Sequence, residues 1–386
     1  MTKPPSQRNI RRGWYVVGLL SLLVGCCLVA MFDRYQIIND ACQYESTARN
    51  IRDGFGVKTS CLFYGEHLHS GDLPSHQTVF PPGLPYGMAI VSKVSGMELH
   101  LAAFGINLVC FVLSAFVLYS LCLRLGSGVL GAVATSTAWL SIAITWHSTW
   151  WGLTEPSFML FTLLAVRLLA GRSLKLVLLA SLCASLAISI RYAGLFLVGA
   201  AAITYFVLLL ADWKSYRTLV PEALLFGLPP AATLWALLSR NARLVETPLG
   251  GNNYDLGQTS RRVIVRFVSG LSELLGLTRD FLLSRSMAEY VFVATVTISV
   301  LFLSRFLSSR ERIRQTIAFF KPPARLLSLL FPPIYFAAVL LLEYSKGSGL
   351  SDRVLMPAVP FAIATLVTLV REVTHSRVSS FVNNAM

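Results

Sequence analysis

Asn39-Asp40-Ala41-Cys42-Gln43-Tyr44-Glu45 comes shortly after an apolar run from Trp14 to Phe32. The run is long enough to cross a ~30 Å hydrocarbon core as a helix, whereas the stretch after it is polar and led by a carboxylate. Apolar runs of this kind recur along the chain, at 14–32, 100–122, 128–146, 155–170, 174–190, 193–211, 219–239, 286–304, 326–343 and 354–370. With 55% hydrophobic and 13% charged residues, the composition excludes an ordinary soluble domain. The fold class expected is therefore an all-α integral membrane protein of about ten transmembrane helices, because lipid-embedded backbone must satisfy its hydrogen bonds within helices.

The net charge of +14 invites a nucleic-acid reading until it is mapped. Ten spans put both termini on one side. The segments of that side hold 18 Lys/Arg against four carboxylates, and the other side is balanced. The positive-inside rule then makes the termini cytoplasmic, in a cytoplasmic (inner) membrane, and the charge reports topology with no nucleic-acid partner. The basic start and apolar run of residues 1–32 lack an A-x-A site, so an uncleaved anchor is expected. Leu23-Val24-Gly25-Cys26 looks like a lipoprotein cleavage box, but the apolar run continues past it.

One polytopic domain, 1–386, is expected. It has a first outer loop over 33–99, a second over 240–285, and a basic cytoplasmic loop over 305–325 resting on anionic headgroups. In the first loop, 40–53 reads as a helix with Asn39 or Asp40 at its N-cap and Gly54 and Gly56 ending it. Glu45 and Arg49, and Arg49 and Asp53, are spaced to pair, and Tyr44, Ala48 and Ile51 share a face with Asp40. Phe80-Pro81-Pro82-Gly83-Leu84-Pro85-Tyr86 then enters extended and turns helical, with 84–94 too short to span. Five of the seven cysteines fall in spans. Cys42 and Cys61 share the first outer loop, either as a disulfide or as two thiols. His67, His69 and His76 cluster there too, but solvated loop histidines are the plainer reading, and no zinc spacing appears. Trp146, Trp150 and Trp151 suit an aromatic belt, and Tyr254 sits in the second loop where an acceptor would be covered.

Ionisable residues at the outer ends of spans are functional candidates. They are Asp40, Glu155 in Thr154-Glu155-Pro156, Arg191-Tyr192 in Arg191-Tyr192-Ala193-Gly194, and Asp352-Arg353 in Asp352-Arg353-Val354-Leu355-Met356-Pro357. In this order the motifs resemble the GT-C superfamily of membrane glycosyltransferases, which includes protein O-mannosyltransferases, the lipid A aminoarabinose transferase and rhizobial lipopolysaccharide core transferases. The shared features are Asp-x-x-x-Tyr on an outer helix ending in Gly-x-Gly, Pro-Pro-Gly-x-Pro, an acidic-Pro pair, Arg-Tyr-x-Gly and Asp-Arg-x-Leu-x-Pro. Residues 33 to about 200 match best.

The resemblance implies inverting transfer of a sugar from a polyprenyl-phosphate donor to an acceptor hydroxyl on a lipid-linked glycan or protein. Catalysis would use Asp40 as general base and Glu155 as a second acidic residue. Arg191 and Arg353 are expected to hold the departing lipid phosphate, with Asp352 beside it, and Tyr44 and Tyr192 to line the sugar site. Many relatives have Asp-Glu where Asp40-Ala41 stands here, so no metal and no cofactor are expected. The chain also lacks the large C-terminal outer domain of some members.

Each site residue has a plainer role beside this one. Asp40 is an N-cap, Glu155 opens a helix before Pro156, Arg191 snorkels, and Asp352 pairs with Arg353. Two other functions stand as alternatives: a transporter or flippase of lipid-linked sugar, and a noncatalytic partner in envelope polysaccharide assembly. Charges at span ends, rather than at midplane in broken repeats, weigh against transport.

Overall fold

The computed structural model describes residues 6–32, 39–61, 71–171, 173–245, 322–346 and 352–371, with side chains from 40, to 341 and from 354 at three of those edges. The expected span 286–304, nearly all of the second loop and of the basic loop, Asp33, His67, His69 and Tyr254 lie outside the described residues.

The chain is helical. The elements are α1 (Gln7–Ala30), α2 (Asn39–Arg52), α3 (Gly83–Ser95), α4 (Leu99–Leu125), α5 (Gly128–Ser141), α6 (Ala143–Trp150), α7 (Glu155–Leu169), α8 (Leu174–Ile190), α9 (Gly194–Ala211), α10 (Tyr216–Val245), α11 (Pro323–Lys346), α12 (Asp352–Leu355) and α13 (Met356–Arg371). Five described helices are long and apolar enough to cross a membrane, or six if the α5–α6 pair counts as one. Their outward residues are apolar as well, among them Tyr15, Leu19, Leu113, Phe206 and Leu228, as lipid-facing helices require. α4 is central, packing on α1, α5 and α7; α7 carries α8, α8 carries α10, and α9 carries α11.

Most expected spans coincide with a described helix, but 128–146 does not run straight. It breaks between Ser141 and Ala143 with a bend of 52°, and α6 continues to Trp150. The Trp146 indole donates to the Leu140 carbonyl at 2.6 Å, recovering one acceptor that the broken ladder would lose.

The loop helix matches its expected bounds within a residue. Its face Ala41, Tyr44, Ala48 rests on the helical bundle, against Leu84, Met88 and Ala89 of α3, Leu99 and Ala103 of α4, and Leu153. Asp53, whose amide still bonds the Arg49 carbonyl at 2.9 Å, turns its carboxylate to the adjacent Arg52 at 3.0 Å, an exposed and weakly stabilising pair. A two-residue antiparallel ladder, β1 (Lys58–Thr59) with β2 (Ser75–His76), follows. It is too short to leave an alternating pattern in the sequence.

Candidate functional site

Asp40 lies in the first turn of α2, at the positive end of the helix dipole, and is 8% exposed. One turn on, Tyr44 is 2% exposed and meets Phe80 edge-on, with ring centroids 5.2 Å apart. Its ring is committed to packing α2 onto the Pro-Pro-Gly entry of α3, which leaves little of its face for a sugar.

That entry needs its glycine. A Cβ on Gly83 would sit 2.5 Å from the Ser189 carbonyl oxygen, so only Gly lets α3 reach the end of α8. The approach packs α3, on which α2 rests, against the end of α8, next to Arg191 and Tyr192.

Glu155 begins α7 and is 1% exposed. Arg191, the residue that ends α8, donates from one guanidinium nitrogen to the Glu155 carboxylate and to the Thr154 hydroxyl, the latter at 3.1 Å. A buried carboxylate is tenable only when it is paired in this way. The turn before it is fixed from α4: Asn107 donates to the Leu153 carbonyl at 2.7 Å and accepts from Ser157 at 3.0 Å. Gly152, at φ +65°, makes the reversal possible. Leu153 belongs to the apolar cluster under α2, so the turn 151–155 joins the Asp40 helix to the Glu155–Arg191 pair.

Tyr335 of α11, which the sequence did not single out, closes this region from the other side. It lies near enough to Arg191 and Glu155 to feel both charges, stacks edge-on to Phe196, and donates to the Val354 carbonyl at 2.9 Å. The Asp352-Arg353 segment is thereby brought to the same end of the bundle by its backbone. The side chains of Asp352 and Arg353 lie outside the described residues.

Tyr192 belongs to a neighbouring network. Asn241, buried near the end of α10, donates to the Tyr192 hydroxyl at 2.8 Å and to the Thr78 carbonyl at 3.1 Å. Arg240 donates to the carbonyls of Gln77 and Val57 at 2.8 and 3.1 Å. Neither residue has a local sequence signal, since their partners are far away in the chain. Between this helix end and the β1 segment opens a cavity of about 670 Å³ lined by Lys58, His76, Trp235, Arg240 and Arg243 among others, with no carboxylate among the described residues of its wall. Among the described residues none of these four basic side chains forms an ion pair. Desolvation, then Lys58 and Arg240, push His76 below the usual histidine range, toward its neutral form. Among the described residues no group of His, Cys, Asp and Glu is arranged to hold a metal ion.

No family model and no curated protein matches the chain. Solved structures do. ArnT from Cupriavidus metallidurans, bound to undecaprenyl phosphate, superposes with a TM-score of 0.59 at 13% identity, covering 92% of this chain and 60% of that one. The archaeal oligosaccharyltransferase AglB from Archaeoglobus fulgidus, in complex with an inhibitory peptide and a dolichol-phosphate, superposes at 0.53 and 13% identity, over 99% of this chain and 52% of that one. The chain thus spans about half to three-fifths of the length of these relatives in structure. This protein has the membrane fold of these two structures, as the resemblance in its motifs implies.

Proposed function

We propose that the protein is a glycosyltransferase that moves a sugar from a polyprenyl-phosphate donor to an acceptor hydroxyl at the outer face of the membrane, with inversion. The observation that carries this reading is the turn 151–155, which links a carboxylate at the rim of a loop helix, Asp40, to a buried Glu155–Arg191 pair within a GT-C fold. The neighbours' lipid phosphates support a donor of that class.

In this mechanism Asp40 takes the proton of the acceptor hydroxyl as that oxygen attacks the anomeric carbon from the face opposite the phosphate. The bond to the lipid phosphate breaks, and the phosphate leaves with the electron pair. Attack from the opposite face inverts the anomeric centre. Positioning supplies much of the acceleration, which is why the helix bearing Asp40 is packed rather than loose.

Arg191 is already neutralised by Glu155, so its first task is to hold that carboxylate in place. Cations for the lipid phosphate then come from Arg353 and from the wall of the cationic cavity, Lys58, Arg240 and Arg243. Exposed Trp235 at the cavity mouth suits the headgroup level, where an isoprenoid chain would leave the bilayer.

The test is mass spectrometry of cell-surface glycans and glycoproteins in a deletion strain carrying either the wild-type gene or Asp40→Asn. A sugar lost on deletion returns with the wild type and stays absent with Asp40→Asn at equal membrane abundance. Restoration by Asp40→Asn contradicts the assignment.

A further inference from the structure

Only two of the seven cysteines lie outside the apolar helices, and the fold brings these two together. Cys42 is on α2, two residues after Asp40, and Cys61 follows β1. Both line one small surface cavity of about 320 Å³ with Glu45, Ser46, Arg49, Asn50 and Ser60. The Cys61 thiol is near enough to Cys42 to act on its ionisation. The pairing does not depend on the sulfurs for its register. Asn50 donates to the Lys58 carbonyl at 3.0 Å, and the Ser60 amide donates to the Ser46 hydroxyl at 2.7 Å, so the β1 segment is held along α2 at two points. The Cys61 amide, donating to the Thr59 hydroxyl at 3.0 Å, fixes the chain at the cysteine itself.

We propose that Cys42 and Cys61 form a disulfide that ties the β1 segment to α2 and so fixes the helix carrying Asp40. The proposal rests on the outer-face reading, because that compartment sustains disulfides. The oxidant is a disulfide-bearing protein of that compartment. One cysteine, as thiolate, attacks the oxidant's disulfide, giving a mixed disulfide and releasing one oxidant thiolate. The second cysteine displaces the other oxidant sulfur. One S–S bond forms in the protein, one breaks in the oxidant, and the oxidant leaves as a dithiol carrying two electrons and two protons. Burial, then the neighbouring Cys61, raises the Cys42 thiol above its ordinary range, which lowers its thiolate fraction and slows uncatalysed exchange.

The clamp has a mechanical consequence. A cross-link on the turn next to Asp40 restricts its helix whether or not substrate is present. The cationic cavity starts at Phe55 on the same closed loop, so the cross-link also limits how far that wall can open. Oxidation therefore preorganises both the base and one wall of the neighbouring cavity.

The test uses full-length protein in right-side-out membrane vesicles, blocked with a membrane-impermeant maleimide and mapped by mass spectrometry without reductant. The expected result is a Cys42–Cys61 linked peptide lacking two hydrogens, with neither thiol alkylated. Two alkylated thiols overturn the pairing. Cys42→Ser and Cys61→Ser separate pairing from location. In each, the remaining thiol should react with the impermeant reagent; reaction only after permeabilisation overturns the outer-face reading and the disulfide with it. The double variant should unfold several degrees lower than wild type, and dithiothreitol should lower the wild type to the same point while leaving the double variant unchanged. Equal unfolding of oxidised and reduced wild type overturns the clamp.

Discussion

The two carboxylates of the site are held in different settings. Glu155 is sealed at the start of α7, tied to Arg191 and backed by Asn107, Ser157 and Tyr335. Asp40 sits in the first turn of an amphipathic loop helix whose apolar side is packed on the bundle. A carboxylate sealed in an ion pair between two helices maintains geometry, whereas on the proposed reading one in the first turn of a packed loop helix exchanges a proton with an acceptor that arrives. On the proposed function, base chemistry falls to Asp40 and support to Glu155, although both are acidic residues near the ends of helices.

The largest expected effect separates the two roles. Asp40→Asn keeps size and packing but removes the base, so transfer should fall about 10²–10⁴-fold with unfolding temperature nearly unchanged. Glu155→Gln should do the reverse in kind. It leaves Arg191 with a neutral partner, costing roughly 3 kcal/mol of stability. The double variant Glu155→Gln/Arg191→Met should recover part of that loss in thermal unfolding, and additive losses would argue against the pair as a unit. Gly83→Ala drives a methyl into the Ser189 carbonyl and pushes α3 off α8, for about 2 kcal/mol and a drop in transfer through displacement of α2. Asn241→Ala, the mildest, removes the bonds to Thr78 and Tyr192, for about 1 kcal/mol. It should raise the donor KM more than it lowers kcat, because it loosens the wall of the cationic cavity rather than the base.

The elements were legible wherever the signal was local. α2 follows from a polar run led by Asp40 and closed by Gly54, and α3 from prolines that stop a helix and a short apolar run after them. The bend at Ser141–Ala143 was not legible, since no Pro or Gly marks it. Within the candidate site, the sequence singled out Asp40, Glu155 and Arg191 by residue type and position. It did not reveal that Arg191 spends its charge on Glu155, a partner 36 positions away. The same distance problem hid Asn107, Asn241 and Tyr335, whose roles rest on carbonyls of other helices and loops. It also hid the meeting of Lys58, Arg240 and Arg243 around one cavity, since the charge count reads sides of a membrane, not clusters.

The most direct measurement is a single-turnover transfer assay with purified protein and a polyprenyl-phosphate sugar, comparing wild type, Asp40→Asn and Glu155→Gln at matched folded fraction. The expected result is that Asp40→Asn binds donor with wild-type affinity yet forms product at least a hundredfold more slowly, while Glu155→Gln, where folded, retains most of its rate. Wild-type product formation by Asp40→Asn, or a larger rate loss in Glu155→Gln than in Asp40→Asn, contradicts the division of labour between the two carboxylates.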